Sequence, residues 1–158
     1  MAKKIKIDID FSSDNTLLAV SFQKKDYTLA FNLNKTLKIK LEKIEDLPYY
    51  DESIEKLQKF SLFHYHDPDC QLSFYLLSNH HPEGKLFRAF KTIDFFILIH
   101  GSIGKDSVSE IVKKVKSIKG VLTAFLPDMK PVKDYSLFLS DLELHMVEIL
   151  KGNQTTMN

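Results

Sequence analysis

Two glycines and a lysine at the end of an apolar run offer the first candidate chemistry. In "FFILIHGSIGKDSVSEIV" (95–112) a strand-like stretch gives way to Gly101, Ser102, Ile103, Gly104 and Lys105, then to a helical pattern. A helix N-terminus leaves its first N–H groups unpaired, so main-chain amides at such a junction can hold a phosphate. A nucleotide-binding loop, however, needs four residues between its first glycine and the Gly-Lys pair, then Ser or Thr to ligate magnesium. Here Ser102 and Ile103 alone separate Gly101 from Gly104, and Asp106 follows Lys105. The loop is too short to wrap a phosphate, and Asp106 puts negative charge where the anion would sit. The better reading is a tight strand-to-helix connection whose glycines adopt backbone angles that other residues resist.

Histidines are the second candidate. His64 and His66 stand two apart on a strand pattern and so share a face. Asp67, Asp69 and Cys70 fill the adjoining turn, and His80 and His81 follow. Imidazole, carboxylate and thiolate together can bind zinc, which makes His64 and His66 the metal candidates. Pairing the hairpin about its turn sets His64 near Ser73 and His66 near Gln71. It leaves His80 and His81 about 30 Å along the strand. No Cys-x-x-Cys or His-Glu-x-x-His spacing occurs, so the expectation is a polar sheet face with no metal and no cofactor. Cys70 beside two aspartates sits in a field that raises its pKa, the wrong setting for a nucleophile. The acids Asp8, Asp10, Glu42, Glu45 and Asp46 fall on faces that read as solvated.

These residues need elements to position them. "KIKIDIDF" alternates with period two, and "TLLAVSF" follows the turn at "SSDN", so both read as strands. From Asp26, the expected N-cap, the spacing turns helical, with Tyr27, Ala30, Phe31 and Leu37 as one stripe and Leu29 and Leu33 beside it. Residues 38–59 are ambiguous: "LKIKLEKI" alternates like a strand, while Ile54, Leu57 and Phe60 fit a helical turn. Two aromatic-rich runs flank Asp67-Pro68-Asp69-Cys70, which predicts a hairpin closed by a type I turn. "IDFFILIHG" predicts a buried central strand. Ser107 and Glu110 form a capping box for a helix with Val108, Ile111, Val112, Val115 and Ile118 on its apolar stripe, stopped by Gly120. "VLTAFLP" is another strand. Ser140 and Glu143 cap a last helix that buries Leu142, Met146, Ile149 and Leu150 before Gly152. Together these predict one α+β domain over 1–152 with a disordered tail over 153–158. The sheet is expected to be mixed but mainly antiparallel, with about three helices packed largely on one face. The unit 93–125 is expected to join parallel strands through a right-handed crossover.

Totals bound the function. The 158 residues suffice for one sizeable core, with 44% hydrophobic and 27% charged residues. No apolar run reaches bilayer length, and the N-terminus lacks the apolar stretch of a secretory signal. The single cysteine, Cys70, fits a reducing compartment, so a cytoplasmic location is expected. Twenty-two basic residues against twenty-one acidic ones leave a net charge of +1, and Arg88 is the only arginine. Neither favours a nucleic-acid partner. The aromatic hairpin carries no lysine between Ser61 and His81, unlike a base-stacking platform, so core packing accounts for its rings.

The stretches "KDYTLAFNLNKTL", "FSLFHYHDPD", "FYLLSNH", "KTIDFFILI" and "VLTAFLPD" together resemble the IPExxxVDY family of small bacterial cytosolic proteins, from about Ile5 to about Leu139. Ile93-Asp94-Phe95 matches the second half of that signature. Phe87-Arg88-Ala89 departs from the first half. The resemblance implies a cytosolic protein and assigns no activity and no site residue. With no catalytic constellation in view, the leading expectation is a non-enzymatic accessory protein that docks on a protein partner or on itself. The expected contacts are a sheet edge at Leu86, Arg88 and Phe90, and the outer side of the last helix at Leu144 and Val147. The alternatives are a small-ligand or metal-binding module, at the 101–105 loop or at His64/His66, and, third, an RNA-associated protein.

Overall fold

The computed structural model describes residues 11, 14–52, 54–130 and 132–156, with side chains as far as Gly152. Of the strand expected at 5–11, only Phe11 lies among them. Its ring is buried edge-on against Tyr75, 5.5 Å between centroids.

Six strands carry the molecule: β1 (Asn15–Phe22), β2 (Glu42–Asp51), β3 (Lys56–Asp67), β4 (Leu72–Ser78), β7 (Phe95–His100) and β8 (Val121–Phe125). A two-residue ribbon, β5 (His80–His81) with β6 (Gly84–Lys85), stands apart. The helices are α1 (Asp26–Leu37), α2 (Lys105–Lys116) and α3 (Tyr135–Thr156). Strand order is β2-β3-β4-β7-β1-β8, and every ladder is antiparallel. This is the expected α+β class. The β7-α2-β8 unit does join two strands of like direction, but β1 lies between them, so no parallel ladder forms.

Both faces of the sheet are covered, and that decides the sequence pattern. All six residues of β7 are buried, as are six of the seven in β4. A strand sandwiched between helices has no wet face and so shows no period-two alternation. On one face Leu18, Val20, Phe74, Leu76, Ile97 and Ile99 meet Leu29, Ala30 and Leu33 of α1 and Val115 of α2. On the other Leu62, Tyr75, Leu77, Phe96 and Leu98 meet Phe138, Leu142 and Met146 of α3. Two helices thus share one face and the third takes the opposite one, where His145 Nε2 lies 2.8 Å from the Glu45 carbonyl of β2.

Helix boundaries depart from the expected caps. Lys25, not Asp26, is the N-cap of α1, and Asp26 becomes its first residue. The α1 stripe turns accordingly: Leu29, Ala30 and Leu33 are buried while Tyr27 and Phe31 face solvent. Ser107 and Glu110 lie inside α2, which starts from Gly104, and Ser140 and Glu143 lie inside α3, which starts five residues earlier at Tyr135. A capping pattern inside an amphipathic helix loses to packing, because most helix stability comes from the buried face. Past Gly152, α3 runs on to Thr156. Residues 38–59, ambiguous in sequence, split between β2 and β3, and Leu57 points outward.

Candidate functional site

At the β7-α2 junction the glycine is explained by a close approach. Gly101 has φ +131°, and a Cβ there would meet the Gln71 carbonyl at 2.7 Å and Leu72 Cδ2 at 2.8 Å. Its N–H donates to the Asp14 carbonyl at 2.9 Å. The loop is therefore packed against the β3-β4 turn, with one amide already used. The dish beside it, about 540 Å³, is lined by Asp106 and Glu110 as well as Cys70 and Ser107. Asp106 in the first turn of α2 and Glu110 one turn on oppose an incoming phosphate, whose charge they duplicate.

The β3-β4 hairpin is longer at its turn than expected. Asp67 Oδ1 accepts the Asp69 N–H, Gln71 takes a left-handed φ of +55°, and pairing begins at Asp67 with Leu72. The two added residues shift the register: His66 pairs with Ser73 and His64 with Tyr75, in place of the expected Gln71 and Ser73. His66 continues a polar row across the sheet, His66-Ser73-His100-Asn15, each directly opposite the next. His66 Nδ1 lies 2.8 Å from Ser73 Oγ, and His100 Nδ1 2.9 Å from Asn15 Oδ1. His64 rests its ring on Tyr75 at 4.8 Å. Burial, with His66 adjacent, pushes the His64 pKa down to about 4, and burial also lowers that of His66. Among the described residues no group of three His, Cys, Asp or Glu side chains converges to hold a metal ion. His81 lies against Phe60, and the six residues from there to His66 span about 20 Å of strand. Burial raises the Cys70 thiol, and its hydrogen bond to the Asp67 carboxylate adds to this, so the thiolate is disfavoured.

Residues 86–94 form a loop held by many hydrogen bonds, and sequence reasoning missed what holds it. Asn79, fully buried after β4, donates through Nδ2 to the Phe90 and Ile93 carbonyls and accepts the Phe87 N–H at Oδ1. Its own N–H reaches the Asp94 carbonyl and its carbonyl accepts the Leu86 N–H. Asp94 ties the loop to the sheet: Oδ2 accepts the Phe22 N–H at 2.7 Å and the Ser21 hydroxyl at 3.2 Å. Oδ1 lies 2.7 Å from His80 Nε2, and His80 Nδ1 lies 2.7 Å from Lys85 Nζ. Both ring nitrogens of His80 are thus engaged, which leaves it no free lone pair for a substrate. Beneath the β5-β6 ribbon the fully buried Gln58 presses its amide on Gly84, without a partner among the described residues.

This clip corrects the expected edge at Leu86, Arg88 and Phe90. The segment is a loop drawn across the α3 face, Leu86 is 4% exposed, and Phe90 stacks edge-on with Phe96. Arg88 is exposed and pairs with Asp51 at 2.7 Å. Beside it opens a cleft of about 650 Å³ between Tyr49–Glu52, Lys85–Ala89 and Val132–Leu137. Three acids (Asp51, Glu52, Asp134) and three bases (Lys85, Arg88, Lys133) line it, so no sign of charge prevails. Burial, then the carboxylates of Asp134, Asp141, Asp51 and Glu52, pushes the Tyr49 pKa up to about 12.

What remains is the pair of sheet edges, and they differ. The outer strand β2 carries Glu42, Lys43, Glu45 and Asp46, a break in register between Ile44 and Leu47, and Pro48. Charge, bulge and proline are the devices that keep an edge from pairing with another chain. The opposite outer strand, β8, pairs only with β1 among the described residues; its register also shifts, with Ser21 opposite Thr123 and Phe22 opposite Val121, but the strand carries neither charge nor proline. From Gly120 to Pro127 it is uncharged, and Leu122, Phe125 and Leu126 are 68%, 38% and 52% exposed. Three exposed large apolar side chains within five residues of an open edge form a patch, whereas Leu144 on α3, 59% exposed, stands with the half-buried Val147. The signal for β8 was in the sequence, as an uncharged strand; its place at the edge was not. A comparison with family models finds no match for this chain, and a comparison with curated proteins finds none either.

Proposed function

We propose that this chain is a non-enzymatic docking protein that engages a protein surface through the open edge of β8. The observation that carries the reading is the asymmetry of the edges: β2 is guarded by charge and proline, while β8 is uncharged and, among the described residues, presents unpaired main chain flanked by exposed leucine and phenylalanine. Strand addition at such an edge draws affinity from main-chain hydrogen bonds and selectivity from alternate side chains. The resemblance to the IPExxxVDY family accompanies the reading, with Asp94 of its second half in a structural role. The free, exposed Cys70 fits a cytoplasmic setting, and no described helix is long and apolar enough to cross a membrane.

A photo-crosslinking amino acid at Leu122, expressed in the protein's own cells, tests this against the same group at Tyr50 on β2. Defined adducts from position 122 and none from position 50 are expected. Adducts from neither, or equally from both, would overturn the reading.

A second reading, a small-ligand module, rests on the 650 Å³ cleft at Arg88. Its test is stabilisation of the protein by a small-molecule library in thermal melts, lost in Arg88→Ala.

A further inference from the structure

We infer that the cleft beside Arg88 binds a small zwitterion with a free ammonium and a free carboxylate, the chemistry shared by an amino acid and a short peptide. The inference rests on the small-ligand reading of that cleft and names its ligand class. The walls of the cleft differ in charge. Strand β2 contributes the acids Asp51 and Glu52, the 85–89 segment contributes the bases Lys85 and Arg88, and the segment before α3 contributes one of each, Lys133 and Asp134. A simple anion meets the acidic wall and a simple cation the basic one, whereas a molecule carrying both charges complements both. At about 650 Å³ the cleft falls in the size range of small-molecule sites, roughly 300–1,000 Å³. Its apolar lining is held in place by the rest of the fold. Leu86 and Phe87 are buried, Phe87 packs edge-on against Phe96 and Phe138, and Asn79 accepts both of their main-chain N–H groups.

Two side chains are placed to read the two charges. Arg88 makes one side-chain hydrogen bond among the described residues, from Nη2 to Asp51 Oδ2 at 2.7 Å. That contact orients the guanidinium and leaves its other N–H donors for a carboxylate, which arginine grips with two parallel bonds. Lys85 is already engaged with His80 Nδ1, so Arg88 is the main contact of the anionic end. Tyr49 is 6% exposed and lines the cleft, yet its hydroxyl has no hydrogen-bond partner among the described residues. The polar atoms of so buried a side chain nearly always have one. Burial and then four carboxylates, Asp134 first, push the Tyr49 pKa up to about 12, so the hydroxyl stays neutral. The negative field that disfavours a phenolate there favours an ammonium, whose N–H groups the Tyr49 oxygen accepts.

Thermal melts of the full chain with a mixture of free amino acids and, separately, a mixture of di- and tripeptides are the test. The expected result is a concentration-dependent rise in Tm with one mixture, which also identifies the source of the ligand. The same compounds with acetylated N-termini and amidated C-termini are expected to give no rise. Calorimetric titration with the stabilising compound should show Arg88→Ala and Tyr49→Phe each weakening binding about tenfold or more, with unchanged circular dichroism. Tyr49→Phe keeps the buried ring, so a merely structural Tyr49 would leave the Kd unmoved. No rise with either mixture, an equal rise with the capped compounds, or a Kd indifferent to both variants overturns the inference. Stabilisation by a library compound lacking either charge, lost in Arg88→Ala, with none from the two mixtures, would sink the zwitterion and leave the small-ligand reading standing. No stabilisation by any compound would sink both.

Discussion

Acid should weaken this fold through His64, and the size of the effect follows from its burial. Its imidazole sits against Tyr75 on the α3 side of the sheet, where burial and the neighbouring His66 lower its pKa from 6.5 to about 4. The native state therefore favours the neutral ring, while the unfolded chain takes up a proton as pH falls through 6.5. Stability from this group is fully present above that value and is lost between 6.5 and 4. Integrating the linkage from about pH 7.5 to about pH 5 gives a loss of about 2 kcal/mol. Well below pH 4, where the native ring is protonated as well, the loss levels off at about 3 kcal/mol, at 1.36 kcal/mol per unit. His66, lowered for the same reason, acts in the same direction, whereas Asp141, whose carboxyl burial raises, acts in the opposite one. The difference between wild type and His64→Phe isolates the one group, because phenylalanine keeps a ring on Tyr75 and cannot titrate. Urea unfolding at the two pH values should show the wild type losing about 2 kcal/mol more than the variant. In thermal melts that is a gap of about 4–8 °C at the lower pH. Parallel pH dependence in the two proteins would refute the placement of His64.

Asn79→Ala should be among the most damaging single changes, since it strips partners from the Phe87 N–H and the Phe90 and Ile93 carbonyls; a loss of about 3–5 kcal/mol in urea unfolding is expected. Gln58→Met removes a fully buried amide without a partner among the described residues and should stabilise by about 1 kcal/mol in the same assay. Arg88→Ala deletes an ion pair whose arginine is 53% exposed, so stability should change by less than about 1 kcal/mol.

Periodicity revealed most elements because their apolar faces are real. The β3-β4 hairpin, the buried run at 95–100 and the α2 stripe are elements observed. What failed were the features that local pattern leaves to the third dimension. The β3-β4 turn takes in two further residues, Cys70 and Gln71, the latter with a left-handed φ, and this moved both histidines in register. The α1 stripe turned because Leu29 and Leu33, and not Tyr27 and Phe31, meet the sheet. Asn79 gave no local sign of its role: its partners lie seven to fifteen positions further along the chain. Strand order cannot be read from one strand at a time. An uncharged "VLTAFL" reads the same in the middle of a sheet as at its edge, and only the strand order places it at the edge.

Amide hydrogen exchange, on the protein isolated with its native assembly and on its Leu122→Lys form, tests the proposed docking at the β8 edge most directly. The account predicts slower exchange over residues 121–126 in the wild type and no difference over residues 42–51. Equal exchange at 121–126 in the two proteins, or a difference confined to 42–51, would contradict it.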